Sequence, residues 1–239
     1  MYIEDSREIE EFMEINSKLK ILDQIYAIYD RFSASLDLAC KNKCDHCCTS
    51  GVTLTTLEGY KIIARLTSDP DTDVIQKIHS ASQIKRLRPQ ITTNRLAQLC
   101  AADIDPPEEA DNLDLQACPL LLDHQCPIYE LRPYGCRCLV SRHNCGEKGY
   151  AEIDDFVLSV NTVFLQTIEH ADAGGCSGNL VDILQTMFAE QNRVAYSNDA
   201  LHCSSNGLIS NQSLEVLMIP PEHRTKIEPI LQQLRQVRA

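Results

Sequence analysis

Four cysteines fall within nine residues, Cys40-Lys-Asn-Lys-Cys44-Asp-His-Cys47-Cys48, and no other stretch of this chain restricts its folding so tightly. A second group follows downstream as Cys118-Pro119, Cys126-Pro127 and Cys136-Arg137-Cys138. Cysteine is a small apolar residue that packs well in cores. Eight thiols in two tight groups exceed what packing asks of it, and point instead to a shared inorganic centre. The candidate ligands are Cys40, Cys44, Cys47, Cys48, Cys118, Cys126, Cys136 and Cys138, with Cys145, His46 and His124 as alternates. Cys100, Cys176 and Cys203 stand alone and read as buried free thiols.

On a continuing helix, Cys40, Cys44, Cys47 and Cys48 would share one face. They would also span about 12 Å at ~1.5 Å rise per residue. Sulfurs around a single zinc lie roughly 4 Å apart, with Zn–S near ~2.3 Å. A straight helix therefore cannot bring all four to one zinc. Either the helix breaks near Cys44, or two or three of these thiols serve one site and the second group completes it. An iron–sulfur cluster, the [4Fe–4S] type ahead of zinc, accepts a wider spread of four cysteines. Proline after Cys118 and after Cys126 fixes φ and stiffens a ligand loop, and bacterial ferredoxin runs also end in Cys-Pro. Thiolate centres carry negative charge, so nearby cations and N–H donors lower their cost; Arg132 and Arg137 are the residues placed for that role.

At 239 residues the chain can bury a proper core without cysteine staples. Its net charge of −12, with no long basic run, argues against nucleic acid or an anionic membrane as partner. Lys85, Arg86 and Arg88 form a local basic spot, read as a solvated helix end. The start, Met1-Tyr-Ile-Glu-Asp-Ser-Arg-Glu, lacks the pattern of a signal peptide. No apolar stretch approaches membrane-spanning length. A cytoplasmic location follows as the expectation, and there twelve cysteines serve as ligands or buried thiols rather than disulfides.

Helical spacing of apolar residues predicts a long helix over 4–40, through Ile9, Phe12, Met13, Leu19, Leu22, Ile25, Tyr26, Tyr29, Phe32 and Leu36. This helix faces either the core or a protein partner. Gly51 to Leu54 reads as briefly extended, and Thr55-Thr-Leu-Glu58 as a capping box opening a helix to about Leu66. Asp69-Pro70-Asp71 breaks it. Helices are predicted over 72–87, 92–102, 154–170, 179–191 and 222–238, with a turn at Asp105 to Glu109. The stretch 117–146 has no clean period and reads as irregular loops with one short helix. The fold class is mainly α, a helical domain around an irregular cysteine-rich core. Its parts are an N-terminal helical extension (1–39), a metal-binding region (40–146) and a C-terminal helical region packing on it (147–239).

The residues Cys44-x2-Cys47-Cys48, Gly51-Val52-x-Leu54-Thr55-x-x-Glu58, Cys118-Pro-Leu-Leu121 and Cys126-Pro-Ile-Tyr-Glu-x-Arg132-Pro-x-x-Cys136-Arg137 resemble the YkgJ-type cysteine-cluster family. The resemblance covers about Cys40 to Ser141 and implies a zinc- or iron-chelating domain. The first gap departs from it, with three residues between Cys40 and Cys44 where the family often has two. Flagellin lysine N-methylases share a similar cysteine region, which implies iron–sulfur in some members.

Two further functions compete with a plain metal-binding or redox role. Cys40-x3-Cys44-x2-Cys47 has the spacing of the radical S-adenosylmethionine motif. Against that enzyme reading, His46 stands where an aromatic residue is usual, and helices follow where repeated βα units are needed. A methyltransferase role rests on the resemblance alone. The other alternative is a structural zinc module that presents its first helix to a protein partner.

Overall fold

The computed structural model describes residues 6–41, 43–68, 72–108, 115–203 and 207–239, without the side chains of 6–13 and of 72. The protein is mainly α, and the described residues form ten α-helices and a small three-stranded sheet.

Helix α1 (Ser6–Ala34) turns Leu22, Ile25, Tyr26 and Tyr29 into the core. Ile9, Phe12 and Met13 lie outside the described side chains. The helix ends ahead of Cys40, where the Ser35 hydroxyl donates to the Phe32 carbonyl at 2.6 Å. Such a side chain competes with the helical ladder and ends it. The first thiol group therefore sits on a loop, and the helical-face geometry does not arise.

Strand β1 (Thr53–Thr55) leads into α2 (Thr56–Ser68). The expected capping box is present. The Thr55 N–H donates to Glu58 Oε2 at 2.8 Å, and the Glu58 N–H donates to Thr55 Oγ1 at 3.3 Å. The Asp69-Pro70-Asp71 break lies outside the described residues. Helix α3 (Thr72–Ser80) closes in a 3-10 turn at Ala81–Gln83, well before Leu87. The chain then extends, because Arg86 and Arg88 both reach Asp182 at 2.6 and 3.1 Å. The basic spot is thus no solvated helix end, since Arg86 is only 6% exposed. Helix α4 (Thr93–Ala101) is capped by Thr92, and residues 105–108 are irregular.

Residues 117–146 are loops, as their lack of period predicts, with a 3-10 turn at Tyr129–Leu131 and two short helices, α5 (Tyr134–Arg137) and α6 (Cys145–Lys148). Helix α7 (Asp155–Ala171) follows, with Asp154 accepting from the Phe156 N–H at 2.9 Å. The predicted helix over 179–191 divides. Strand β2 (Cys176–Asn179) comes first, α8 (Leu180–Phe188) starts on the Asn179 cap, and α9 (Glu190–Ser197) begins after a break at extended Ala189. Strand β3 (Ile209–Ser210) and α10 (Arg224–Arg235), entered through a 3-10 turn at Pro221–His223, complete the chain.

The sheet runs β1-β2-β3 and is antiparallel, with Leu54 opposite Gly178 and Cys176 opposite Ser210. One apolar core joins all three parts of the chain. It includes Leu22 and Ile25 of α1, Leu57 and Ile63 of α2, Phe164 of α7 and Ile183 of α8. Tyr29, Tyr134 and Phe164 pack edge and face, with Tyr29 4.8 Å from Tyr134 and 5.1 Å from Phe164.

At the far end of the core, Asp172 accepts from Thr56 Oγ1 (2.7 Å), the Leu57 N–H (3.0 Å), Tyr196 Oη and Asn211 Nδ2 (3.1 Å). Burial pushes its carboxyl up to about 7. Gly175 is required there, since a Cβ would fall 2.1 Å from Thr56 Oγ1. Among the described residues, no helix is long and apolar enough to cross a membrane.

Candidate metal centre

The loop 40–48 is held by short-range turns. The Cys44 N–H donates to the Lys41 carbonyl at 3.0 Å and the Cys48 N–H to the Asp45 carbonyl at 2.8 Å. Lys43 takes a positive φ of 72° to make the first of these turns. The two thiol groups meet through backbone. Thr49 and Ala117 form an antiparallel bridge, and the Cys118 N–H donates to the Cys48 carbonyl at 2.8 Å. This places sequence-distant Cys48 and Cys118 side by side.

Between Cys118 and Cys126 the chain reverses tightly, with Leu122 bridged to Gln125 and with Asp123 and His124 at positive φ. Cys136 rides on α5, whose first N–H, that of Tyr134, donates to buried Glu58 at 2.6 Å. Gly135 lets α5 lie against β1, where a Cβ would sit 2.4 Å from the Thr53 carbonyl oxygen. The capping carboxylate of α2 thus also fixes the helix that carries Cys136.

One cavity of about 80 Å³ results, and Cys40, Cys44, Cys47, Cys48, Cys118, Cys126 and Cys136 all line it. Its apolar lining includes Val52, Leu120, Ile128 and Leu180, each buried. Of the eight candidate ligands, Cys138 is absent from the lining. Its thiol turns back to the Gly135 carbonyl at 3.6 Å, and burial pushes it up to about 12.

The Cys47 thiol and Cys48 sulfur are hydrogen-bonded, which raises Cys47 and lowers Cys48, so Cys48 is the readier thiolate of the two. Burial raises Cys118, Cys126 and Cys136. Among the described residues, no three His, Cys, Asp or Glu side chains converge on a single ion-sized point. The sulfurs are spread around a chamber rather than closed into a tetrahedron.

Arg132 lines the cavity as expected, its guanidinium 3.6 Å from the Tyr129 ring centroid and its Nε donating to the Tyr129 carbonyl at 3.0 Å. Its charge opposes the rise of the Cys126 and Cys136 values. Arg137 is turned elsewhere. It pairs with Asp30 at 3.1 Å, donates to the Glu130 and Arg132 carbonyls, and lies over the Tyr26 ring. It ties the site to α1 rather than facing the thiols.

Sequence reasoning missed Lys77, which donates to the Leu121 carbonyl at 3.0 Å and lowers the cost of a Cys118 thiolate. Only the packing of α3 against the loop exposes that role. Of the alternates, His124 lines the cavity and pairs with Asp45 at 2.7 Å, while His46 lies against Gly146.

Two isolated cysteines need correction. Cys176 and Cys203 are not free thiols but a disulfide. They are far apart in sequence, yet strand β2 and the loop before β3 bring their Cα atoms to 5.6 Å. Cys100 is free but exposed rather than buried. Comparison of the chain with family models, with curated proteins and with solved structures finds no match.

Proposed function

We propose that this chain is an iron–sulfur protein whose cluster is held by Cys48, Cys118, Cys126 and Cys136, thiols drawn from both groups. The observation that supports it is the single cavity lined by seven cysteines from two separated segments. Its volume of about 80 Å³ far exceeds the roughly 10–15 Å³ that one water-sized centre needs. The donor chemistry fits, because a cluster takes four thiolates and tolerates their spacing better than a lone zinc does. When bound, such a group stores and passes single electrons.

The chain's own residues bind and tune it. The four thiols are its anchors. Arg132 and Lys77 offset the thiolate charge, and buried Val52, Leu120, Ile128 and Leu180 exclude water from one side, which shifts a cluster's potential. The motif resemblance to the YkgJ-type family points the same way. The ligands must be free thiols when the cluster is loaded, so this reading places loading in a reducing setting such as the cytoplasm, where the core-buried Cys176–Cys203 disulfide is an exception to the usual rule.

Anaerobic purification tests the proposal. The wild-type protein is expected to be brown, with visible absorbance, iron and acid-labile sulfide. Cys136→Ser is expected to lose the iron, whereas Cys138→Ser keeps it, because Cys138 does not line the cavity and its thiol is bonded to the Gly135 carbonyl. A colourless protein with stoichiometric zinc alone would overturn the proposal in favour of a zinc domain.

A further inference from the structure

The thiol cavity has a floor and a mouth. Leu120 and Ile128 are buried and close the floor, whereas Lys41, Lys43, His124 and Leu139 line the cavity and are exposed. None of the residues that line it is Asp or Glu. Two lysines therefore rim the opening on a chain whose net charge is −12.

The backbone holds these lysines at the rim. The Cys44 N–H donates to the Lys41 carbonyl at 3.0 Å, and Lys43 takes its positive φ of 72° inside that turn. Among the described residues, neither lysine has a carboxylate within ion-pair distance, and neither does half-buried Arg132, whereas Lys18, Lys61, Arg88, Arg137 and Arg142 each hold one. Asp45 is already held by His124 at 2.7 Å, and Asp123, on the turn before His124, does not line the cavity. Arg132 lies among the thiols and offsets their charge, but Lys41 and Lys43 face solvent, where their field reaches about 10 Å at ~0.1 M salt. Leu139, 38% exposed at the same mouth, adds an apolar contact beside the charges. An apolar centre with a polar rim is the usual make-up of a protein-docking patch.

We propose that this mouth docks a protein electron carrier whose contact face is a cluster of carboxylates, with Lys41 and Lys43 as the residues that orient it. The inference rests on the iron–sulfur reading for what passes between the two proteins. On that reading the cluster fills the chamber of about 80 Å³, so the rim is left to the surface of a macromolecule rather than to a small anion. Charge selects the partner. An acidic carrier is repelled by the −12 chain as a whole and attracted at this rim, so the electrostatics fix its orientation as well as its approach. A single electron leaves the carrier's redox group, which is oxidised, and enters the cluster, which is reduced. No covalent bond forms or breaks.

The test uses the full chain, purified anaerobically, with fully reduced flavodoxin, an acidic flavin protein, as the probe. Stopped-flow mixing gives the second-order rate of cluster reduction at low and high salt. Photoreduced deazaflavin, a small uncharged one-electron donor, serves as the reference. The double variant Lys41→Glu, Lys43→Glu is compared with Lys20→Glu, Arg224→Glu, which changes the net charge equally at exposed residues outside the cavity lining. The wild-type rate with flavodoxin is expected to fall as salt rises. The rim double variant is expected to lower the low-salt rate about tenfold, since rim charges act mainly on association, and to keep both its iron and its rate with deazaflavin. The proposal is overturned if the two double variants slow equally, or if the wild-type rate rises with salt, because net repulsion then governs the encounter. Should the protein carry no iron, binding of fluorescently labelled flavodoxin decides. Binding that weakens with salt and depends on Lys41 and Lys43 supports the docking surface while the cluster reading fails, and no binding overturns both.

Discussion

Asp182 carries two guanidinium groups on one carboxylate, with Arg86 6% and Asp182 3% exposed. Burial alone would raise this carboxyl, yet the Arg86 and Arg88 hydrogen bonds and charges hold it below its usual value. The folded chain therefore gives up this proton more readily than the unfolded chain does. The stabilisation is complete above the ordinary carboxylate range near ~4 and is lost as pH falls through the folded value. Denaturant titrations from pH 7 downward are expected to show this acid-side loss, with a smaller slope in Asp182→Asn. At neutral pH that variant is expected to cost about 3 kcal/mol, because Arg86 is left buried without its counter-charge. An unchanged acid limb in Asp182→Asn would refute the assignment. At this scale the sequence was partly legible. Thr55 with Glu58 announces its cap by spacing alone. The partners of Arg86 and Arg137 do not, because Asp182 and Asp30 lie about a hundred residues away and only tertiary packing selects them.

Among the elements, α2 meets α8 at Gly59, where a Cβ would sit 2.3 Å from Ile183 Cγ2. Gly59→Ala raises helix propensity but forces these two helices apart. Over-packing of this kind costs about 1–3 kcal/mol, more than the roughly 1 kcal/mol that alanine gains over glycine within a helix. A lowered thermal midpoint is the expected result, and a raised one would show that Ile183 can move aside. The long helices were readable from their period, but the division at Ala189 was not, since nothing in 179–191 marks a stop. Strand β2, Cys-Ser-Gly-Asn, has no β pattern of its own and exists because β1 and β3 offer it partners on both sides. The small antiparallel sheet also lacks, among the described residues, the repeated βα units that a radical S-adenosylmethionine enzyme requires.

For the molecule as a whole, the disulfide Cys176–Cys203 and the thiol cavity are separate devices. The disulfide pins β2 to the loop before β3 and lies within the apolar core. Removing it as the double variant Cys176→Ser, Cys203→Ser is expected to cost about 2–4 kcal/mol of stability. On the cluster reading proposed above, iron content is expected to be unchanged, with stability read by denaturation and iron by metal analysis on the same samples. Loss of iron in that variant would mean that the two devices are coupled. The chamber itself was only half legible. Counting cysteines and noting their two groups predicts that they come together, but which thiols line the cavity depends on the bridge between Thr49 and Ala117 and on the bond of Cys138 to the Gly135 carbonyl. Neither leaves a mark in the spacing.

Glu58 closes the capping box of α2 and also receives the first N–H of α5 and the Tyr26 hydroxyl at 2.6 Å. One side chain thus joins the start of a core helix, the long first helix and the short helix behind Cys136. The backbone behind Cys136 is consequently fixed by the fold itself. On the cluster reading proposed above, the entropy of ordering that ligand is spent in folding, and a donor preorganised in this way binds more tightly than the same sulfur on a loose chain.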